Sequence, residues 1–223
     1  MDALEKRDGL FSDLHARYLK PLGYKKEGAW SRLSEPPFHW GTYLRSSRWN
    51  SRDAADFWLD ICVLHEDYEQ LFYQRRASRL SERTPGMVYI ELGQLLKPVV
   101  PRWTIEEFTN LDVLKTRIFE AFQSKALPTL HQCKSLEGVL EFYRSHPQGW
   151  SRVAHMGAAV YLLLQRREEA IAAMSEAKAN AANDRVLAWL NNLESQMLAN
   201  NALVTDACAS ALRAFYSAAQ RGR

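Results

Sequence analysis

The first apolar pattern in the chain repeats at intervals of three and four residues. Its members are Leu10, Phe11, Leu14 and Tyr18. This spacing puts them on one face and predicts an amphipathic helix over residues 9–20. Pro21 is expected to stop the helix, because proline cannot continue its hydrogen-bond pattern. Gly23 then permits a turn that leads to a short extended run beginning at Trp30.

Two later segments alternate with a period of two, which is typical of β-strands. The first alternates Phe38, Trp40, Thr42 and Leu44 with His39, Gly41, Tyr43 and Arg45. The second alternates Phe57, Leu59, Ile61 and Val63 with Trp58, Asp60, Cys62 and Leu64. We predict a hairpin with the protruding connection RSSRWNSRD, residues 45–53, and a second strand buried on much of both faces. A further run from Met87 predicts another strand.

The helical period returns after Asn110 and persists to the end of the chain. Asn110 and Ser135 are predicted to cap two helices, and Pro128 is expected to interrupt the first of them. Three or four more helices follow. Their predicted apolar faces carry Val153, Met156, Val160, Ile171, Met174, Leu187, Leu190, Leu193, Met197, Cys208, Leu212 and Phe215.

These patterns predict one compact α+β body. An N-terminal helix and an antiparallel sheet packed with helices form residues 1–145, and an all-helical C-terminal extension, residues 146–223, packs on them. The chain has 223 residues, of which 47% are hydrophobic, so it can bury a sizeable core. Without the extension, we expect residues 1–145 to expose an apolar patch too large for a soluble monomer.

Charge and cysteine usage narrow the classes of function. The 29 basic and 26 acidic residues give a net charge of +3, which is too small to demand a nucleic-acid or membrane partner. Cys62, Cys133 and Cys208 are far apart and odd in number, which argues against a disulfide framework. The charged start MDALEKRDGLF does not resemble a secretory signal, and no stretch has the length of a membrane span. We therefore expect a cytoplasmic protein.

Candidate catalytic groups are few. The histidines are scattered without a recognised metal spacing, so no metal or other cofactor is predicted. Asp60, between apolar neighbours, is either a buried catalytic acid or the partner of an arginine or a backbone amide. His65, Glu66 and Asp67 could supply acid–base groups, but a solvated strand end is the preferred explanation, since the sequence identifies no partners that converge on them. In GYKKEGAWSRL, residues 23–33, no helix follows the lysines, which argues against a phosphate loop.

Two basic clusters are candidate contact surfaces. The first surrounds the hairpin connection, and its predicted partner-binding residues are Trp40, Tyr43, Arg45, Arg48, Trp49 and Arg52. The second contains Arg75, Arg76, Arg79 and Arg83. Solvated surface arginines explain either cluster, but arginine and tryptophan are also favoured anchors of protein interfaces. The small net charge favours a protein partner over a nucleic acid.

Two resemblances add to these patterns. The segments LFSDLHARYLKPLGYKKEGAWSRL, HWGTYLRSSRWNS, DFWLDICVLH and LKTRIFEAFQSKALPTLHQCKSLEGVLEFY resemble the bacterial domain-of-unknown-function family 4304 over residues 9 to about 145. Separately, YLLLQRREEAIAAMSEA, residues 161–177, is similar to one helix pair of a tetratricopeptide array. Copies at the usual spacing of about 34 residues are not evident, so the segment predicts only a helical hairpin.

The first resemblance implies a compact α+β domain with no established enzyme activity. Relatives of this kind occur beside antibacterial toxins as candidate immunity proteins. The expected function is therefore binding and blocking of a cognate toxin, such as a nuclease that acts in the cytosol. The alternatives are an enzyme that uses Asp60 or the group from His65 to Asp67, and an RNA-binding accessory protein.

Overall fold

The structure, a computed structural model, describes residues 2–81, 84 and 86–199. Six strands form one antiparallel sheet, in which β1 to β5 are neighbours in chain order and β6 pairs with β4. The strands are β1 (Lys25–Glu27), β2 (Trp30–Glu35), β3 (Phe38–Ser46), β4 (Ala55–His65), β5 (Val88–Glu91) and β6 (Trp103–Ile105). Together with the helices, this sheet confirms the predicted α+β class.

The hairpin of β3 and β4 is the centre of the sheet. Its register pairs Phe38 with His65 at one end and Ser46 with Phe57 at the other. β5 and β6 share the remaining edge of β4, with β5 beside residues 60–63 and β6 beside residues 55–57. The strands predicted from alternation and the strand after Met87 are confirmed.

Seven helices have both ends within the described residues. They are α1 (Ala3–Leu14), α2 (Glu66–Tyr73), α3 (Leu111–Ala121), α4 (Leu127–Gln132), α5 (Leu136–Arg144), α6 (Trp150–Leu163) and α7 (Arg167–Ala179). An eighth, α8, covers residues 184–199. The predicted caps are confirmed, since the side chains of Asn110 and Ser135 accept hydrogen bonds from Val113 N and Gly138 N. None of the helices described here is long and apolar enough to cross a membrane.

Two predicted helix boundaries are wrong. α1 begins at Ala3, six residues early, because Asp2 and Glu5 form a reciprocal capping box. It continues as a π-helical turn and a 3₁₀ turn, and ends at Gly23 with a φ of 86°. Pro128 does not interrupt its helix: a π-helical turn, Phe122–Ala126, joins α3 to α4. We attribute this continuity to the wider turn, which accommodates a residue without an N–H.

One face of the sheet packs against the helices. The inward row of β4, which contains Phe57, Leu59, Ile61 and Val63, belongs to the same buried cluster as α1, α3 and α5 to α8. His155 of α6 lies between Phe72 of α2 and Trp189 of α8, at ring-centroid distances of 6.1 and 5.3 Å. The described C-terminal helices therefore share the core of the sheet-containing part.

The predicted helical hairpin of residues 161–177 is the junction of α6 and α7. Its predicted inward face is partly wrong. Ile171 is 45% exposed, whereas Ala170, Ala173 and Met174 are buried, because α7 presents its alanine row to the neighbouring helices. The predicted face with Cys208, Leu212 and Phe215 lies outside the described residues.

The other face of the sheet packs against the segment around Leu80, which follows α2. Trp30, Cys62 and Leu64 form a small buried cluster there with Leu80. Leu80 lies so close to Gly41 that a Cβ at that position would be 2.9 Å from Leu80 Cδ1. This face carries the side chains of Arg45, Trp58 and Asp60, and leads to the connection between β3 and β4.

Candidate functional site

The β3–β4 loop, residues 47–54, is held in shape by its own hydrogen bonds. Asn50 Nδ2 donates to Asp56 O at 2.9 Å, and Asp56 N donates to Asn50 Oδ1 at 2.8 Å. Ser47 N also donates to Asp56 O, at 3.0 Å, and Ser51 N donates to Ala54 O at 2.8 Å. The side chain of Asn50 thus clamps the loop to the first residues of β4.

The start of α1 supports the loop from outside the hairpin. Ala3 N donates to Arg52 O at 2.8 Å, and Arg7 Nη1 donates to Ser46 Oγ at 2.8 Å. Ala3 N is one of the first amide groups of α1, which have no partner within the helix. The loop therefore satisfies a free donor of the helix, and the two segments position each other.

Trp49 is 80% exposed at the tip of this loop. The guanidinium carbon of Arg48 lies 4.7 Å from the centre of the Trp49 ring, in a cation–π arrangement. Arg48 and Arg52 are exposed, and no carboxylate within the described part of the chain is within ion-pair distance of either. The tip therefore presents one large aromatic surface and two available positive charges.

Arg45 lies below the tip in a different environment. Arg45 Nε donates to Asp60 Oδ2 at 2.9 Å, its Nη2 is 3.4 Å from Asp60 Oδ1, and Nη2 also donates to Glu91 Oε1. Tyr89 OH donates to Asp60 Oδ2 at 2.6 Å, and the guanidinium stacks 4.5 Å from the Trp58 ring. We call these five residues the Arg45 cluster.

The charges of the Arg45 cluster hold one another in place. Burial opposes ionisation of Arg45, but its hydrogen bond to Asp60 and the charges of Asp60 and its neighbours raise the pKa of the guanidinium. Burial and the hydrogen bond to Asp60 raise the pKa of Tyr89, which stays a neutral donor. Asp60 is fully buried. Of the two explanations that the sequence left open for Asp60, pairing with an arginine is the one observed.

The six predicted contact residues do not form one surface. Trp40 is 3% exposed in the core, where its Nε1 donates to Cys133 O at 2.9 Å. Tyr43 is half-buried and stacks on Trp30 at 4.5 Å. Only Arg48, Trp49 and Arg52 share the exposed tip.

His65, Glu66 and Asp67 lie at the opposite end of the hairpin. β4 between Phe57 and His65 is about 26 Å long at the usual rise per residue. His65 is buried, and burial lowers its pKa although the charges of Asp67 and Glu66 oppose the change. Glu66 begins α2 and bonds to His39, with Oε1 2.9 Å from Nε2. The predicted solvated strand end is therefore wrong for His65, whose ring packs against that of Phe38 at a centroid distance of 4.6 Å.

The second basic cluster is divided among separate contacts. Arg75 Nε donates to the buried Glu69 at 2.6 Å, and Arg79 donates to Glu27. Arg76 lines a shallow cleft of about 560 Å³ beside α2. Arg83 lies outside the described residues. Within the ranges that the structure describes, no three His, Cys, Asp or Glu side chains are grouped to hold a metal ion.

The sequence reasoning missed Asn50, Tyr89 and Glu91. Tyr89 and Glu91 alternate with the buried Val88 and Ile90, so the pattern of β5 contained a signal that they share a face. Asn50 gave a weaker signal, as a common loop residue whose side chain can bond to nearby backbone.

The chain matches no family model, no curated protein and no solved structure. A functional proposal therefore rests on this geometry and on the expectations from the sequence.

Proposed function

We propose that this protein is a cytoplasmic immunity protein, which binds a cognate antibacterial toxin through the β3–β4 loop and blocks its action. One observation carries the proposal: Trp49 is 80% exposed on a loop that Asn50 and the backbone hold by hydrogen bonds. Exposed tryptophan on a pre-ordered loop is what a protein interface uses as an anchor. The family resemblance supplies the class of partner.

The ordered loop favours tight binding. A flexible loop would lose conformational entropy when its partner fixes it, at about 0.5–1.5 kcal/mol for each immobilised side chain. Here the bonds of Asn50, together with the contact between Ala3 and Arg52, fix the backbone before any partner arrives. Trp49 can then enter a cleft of the toxin with little further ordering.

The available charges define how the partner is attracted. Arg48 and Arg52 are free to meet carboxylates, whereas Arg45 is already engaged by Asp60 and Glu91. We assign Arg48 and Arg52 to steering of the toxin and Arg45 to support of the hairpin. A nuclease that holds its metal with carboxylates offers a matching negative surface. Blocking such a site requires a complementary surface and no turnover.

The experiment first expresses the proteins encoded by the reading frames beside this one and purifies any that is toxic to cells. Binding is measured by calorimetry for the wild type, Trp49→Ala and the control Trp189→Ala, which removes a 48%-exposed tryptophan from α8. We expect Trp49→Ala to weaken binding by about 2 kcal/mol, roughly thirtyfold, and to abolish protection of cells. Arg48→Ala with Arg52→Ala should mainly slow association and reduce its salt dependence.

The outcomes separate the alternatives. Equal affinities of Trp49→Ala and Trp189→Ala would move the interface away from the β3–β4 loop. Failure of the wild type to bind any neighbouring toxin would refute the immunity proposal. Binding of RNA instead, with a steep dependence on salt, would favour the accessory-protein alternative.

A further inference from the structure

A cleft of about 420 Å³ adjoins the β3–β4 loop. It lies where the start of α1 and the residues after β6 approach the loop, and its charged lining is Asp2, Lys6, Arg52, Asp53, Glu106 and Glu107. The bond from Ala3 N to Arg52 O fixes α1 against the loop at this place. The cleft is therefore a built feature between ordered segments, and part of it belongs to the loop that carries Trp49.

Phe108 is a second exposed aromatic residue, and it is the next residue in the chain after the cleft residues Glu106 and Glu107. It directly follows Glu107 and is 92% exposed. The turn that carries it is closed twice, by Thr109 N donating to Glu106 O at 3.1 Å and by Glu106 N donating to Thr109 Oγ1 at 2.8 Å. A single exposed apolar side chain is common. Here two hydrogen-bonded turns each carry a large exposed aromatic side chain, Trp49 or Phe108, and each supplies residues to the same cleft, which suits a protein partner.

The cleft has an excess of negative charge. Four carboxylates, those of Asp2, Asp53, Glu106 and Glu107, face the two cations Lys6 and Arg52, which leaves two negative charges. Asp2 already accepts a hydrogen bond from Glu5 N as the cap of α1. The others have no such role in a helix. A basic side chain is the chemical group that this lining would attract.

We infer that Phe108 is a second anchor of the toxin interface, and that the cleft between Phe108 and the β3–β4 loop receives a lysine or arginine side chain of the toxin. This inference rests on the proposed function. Residues that flank a polar contact and exclude water strengthen it, because the attraction between charges grows as the surroundings become less polar. Trp49 and Phe108 would provide that flank, and the charge would select the partner.

The test uses the same purified toxin and three variants. Phe108→Ala removes the second anchor, and Glu106→Gln with Glu107→Gln removes two charges while it keeps their shape. Leu22→Ala is the matched apolar control: Leu22 is 55% exposed, and it follows the far end of α1, a helix about 18 Å long. Urea unfolding first establishes that each variant is as stable as the wild type.

We expect Phe108→Ala to weaken binding about thirtyfold, as truncation of an interface anchor does. The double glutamine variant should slow association and flatten its salt dependence, while Leu22→Ala should leave both unchanged. Reversing one toxin lysine or arginine to glutamate should weaken binding, and Glu107→Lys should restore it in that pair.

Each contrary result has a separate meaning. If Trp49→Ala weakens binding but Phe108→Ala and the glutamine variant do not, this inference fails and the proposed function stands. If the wild type does not bind the toxin, both fail. If the wild type is a dimer that Phe108→Ala dissociates, the cleft joins two copies of this chain, and the assignment to the toxin is overturned.

Discussion

Replacement of Arg45 by methionine should destabilise the protein strongly without any change at the exposed loop tip. Asp60 is fully buried and relies on Arg45 for its charged partner, with Tyr89 as its other donor. Arg45→Met keeps an apolar stem of similar length over Trp58 but leaves the Asp60 carboxylate without a positive charge. The energetic consequence is therefore that of a broken buried ion pair.

The structure sets the size of this effect. Removing one partner of a buried ion pair destabilises proteins by about 3–5 kcal/mol. The side chain of Arg45 is 32% exposed, so water screens part of the interaction. We therefore expect the lower end of that range, about 3 kcal/mol.

Urea unfolding followed by circular dichroism and tryptophan fluorescence measures the change. The matched control is Arg48→Met, three residues along the chain, where the arginine is exposed and stacks on Trp49. The control should change the free energy of unfolding by less than about 0.5 kcal/mol. If the two variants are equally stable, the Arg45 cluster does not stabilise the hairpin, and Arg45 is again a candidate contact residue.

Three further predictions concern the loop, the helical packing and the chain length. Asn50→Ala should weaken toxin binding measured by calorimetry although Trp49 is retained, and should lower the free energy of unfolding by about 2 kcal/mol, since it removes two hydrogen bonds to Asp56. Burial lowers the pKa of His155 to about 4. The neutral imidazole therefore stabilises the folded state fully above about pH 6.5, the pKa of histidine in the unfolded chain. This stabilisation decreases by up to about 3 kcal/mol as the pH falls toward 4. His155→Gln should remove that dependence from urea titrations across this range, and identical pH profiles would contradict the assignment. A chain that ends at Ser145 loses α6, α7 and α8, so it should aggregate in light-scattering measurements; a monomer as stable as the full chain would show that these helices are not needed.

The hairpin was predictable from the sequence because the same two-residue alternation runs through both of its strands. Alternation in residues 38–45 and 57–65 identified β3 and β4, and it also placed Trp40 on the apolar row. The burial of Trp40 could therefore have been predicted from the same pattern. The capping box of Asp2 and Glu5 was likewise present in the sequence, and would have given the true start of α1.

The Arg45 cluster could not be predicted in the same way. Arg45 is paired in register with Trp58, and it reaches Asp60 diagonally. That contact depends on the register, which the geometry of the connecting loop fixes and a pattern of apolar residues leaves undetermined. The exposure of Phe108 could not be predicted either, because it depends on how the turn after β6 is placed relative to α1.

The clamp of Asn50 on Asp56 separates the shape of the β3–β4 loop from the identity of its tip. The residues that hold the loop are not those that point outward, so positions 48, 49 and 52 can be exchanged without altering the backbone that carries them. Under the proposed function, substitutions at these three positions alone could match a change in the surface of the toxin. Consider a saturation library that is selected first for folding and then for protection of cells. We expect selection for folding to restrict the residues allowed at position 50, and only selection for protection to restrict those allowed at positions 48, 49 and 52. Such a division would let new partner specificity evolve on an unchanged scaffold.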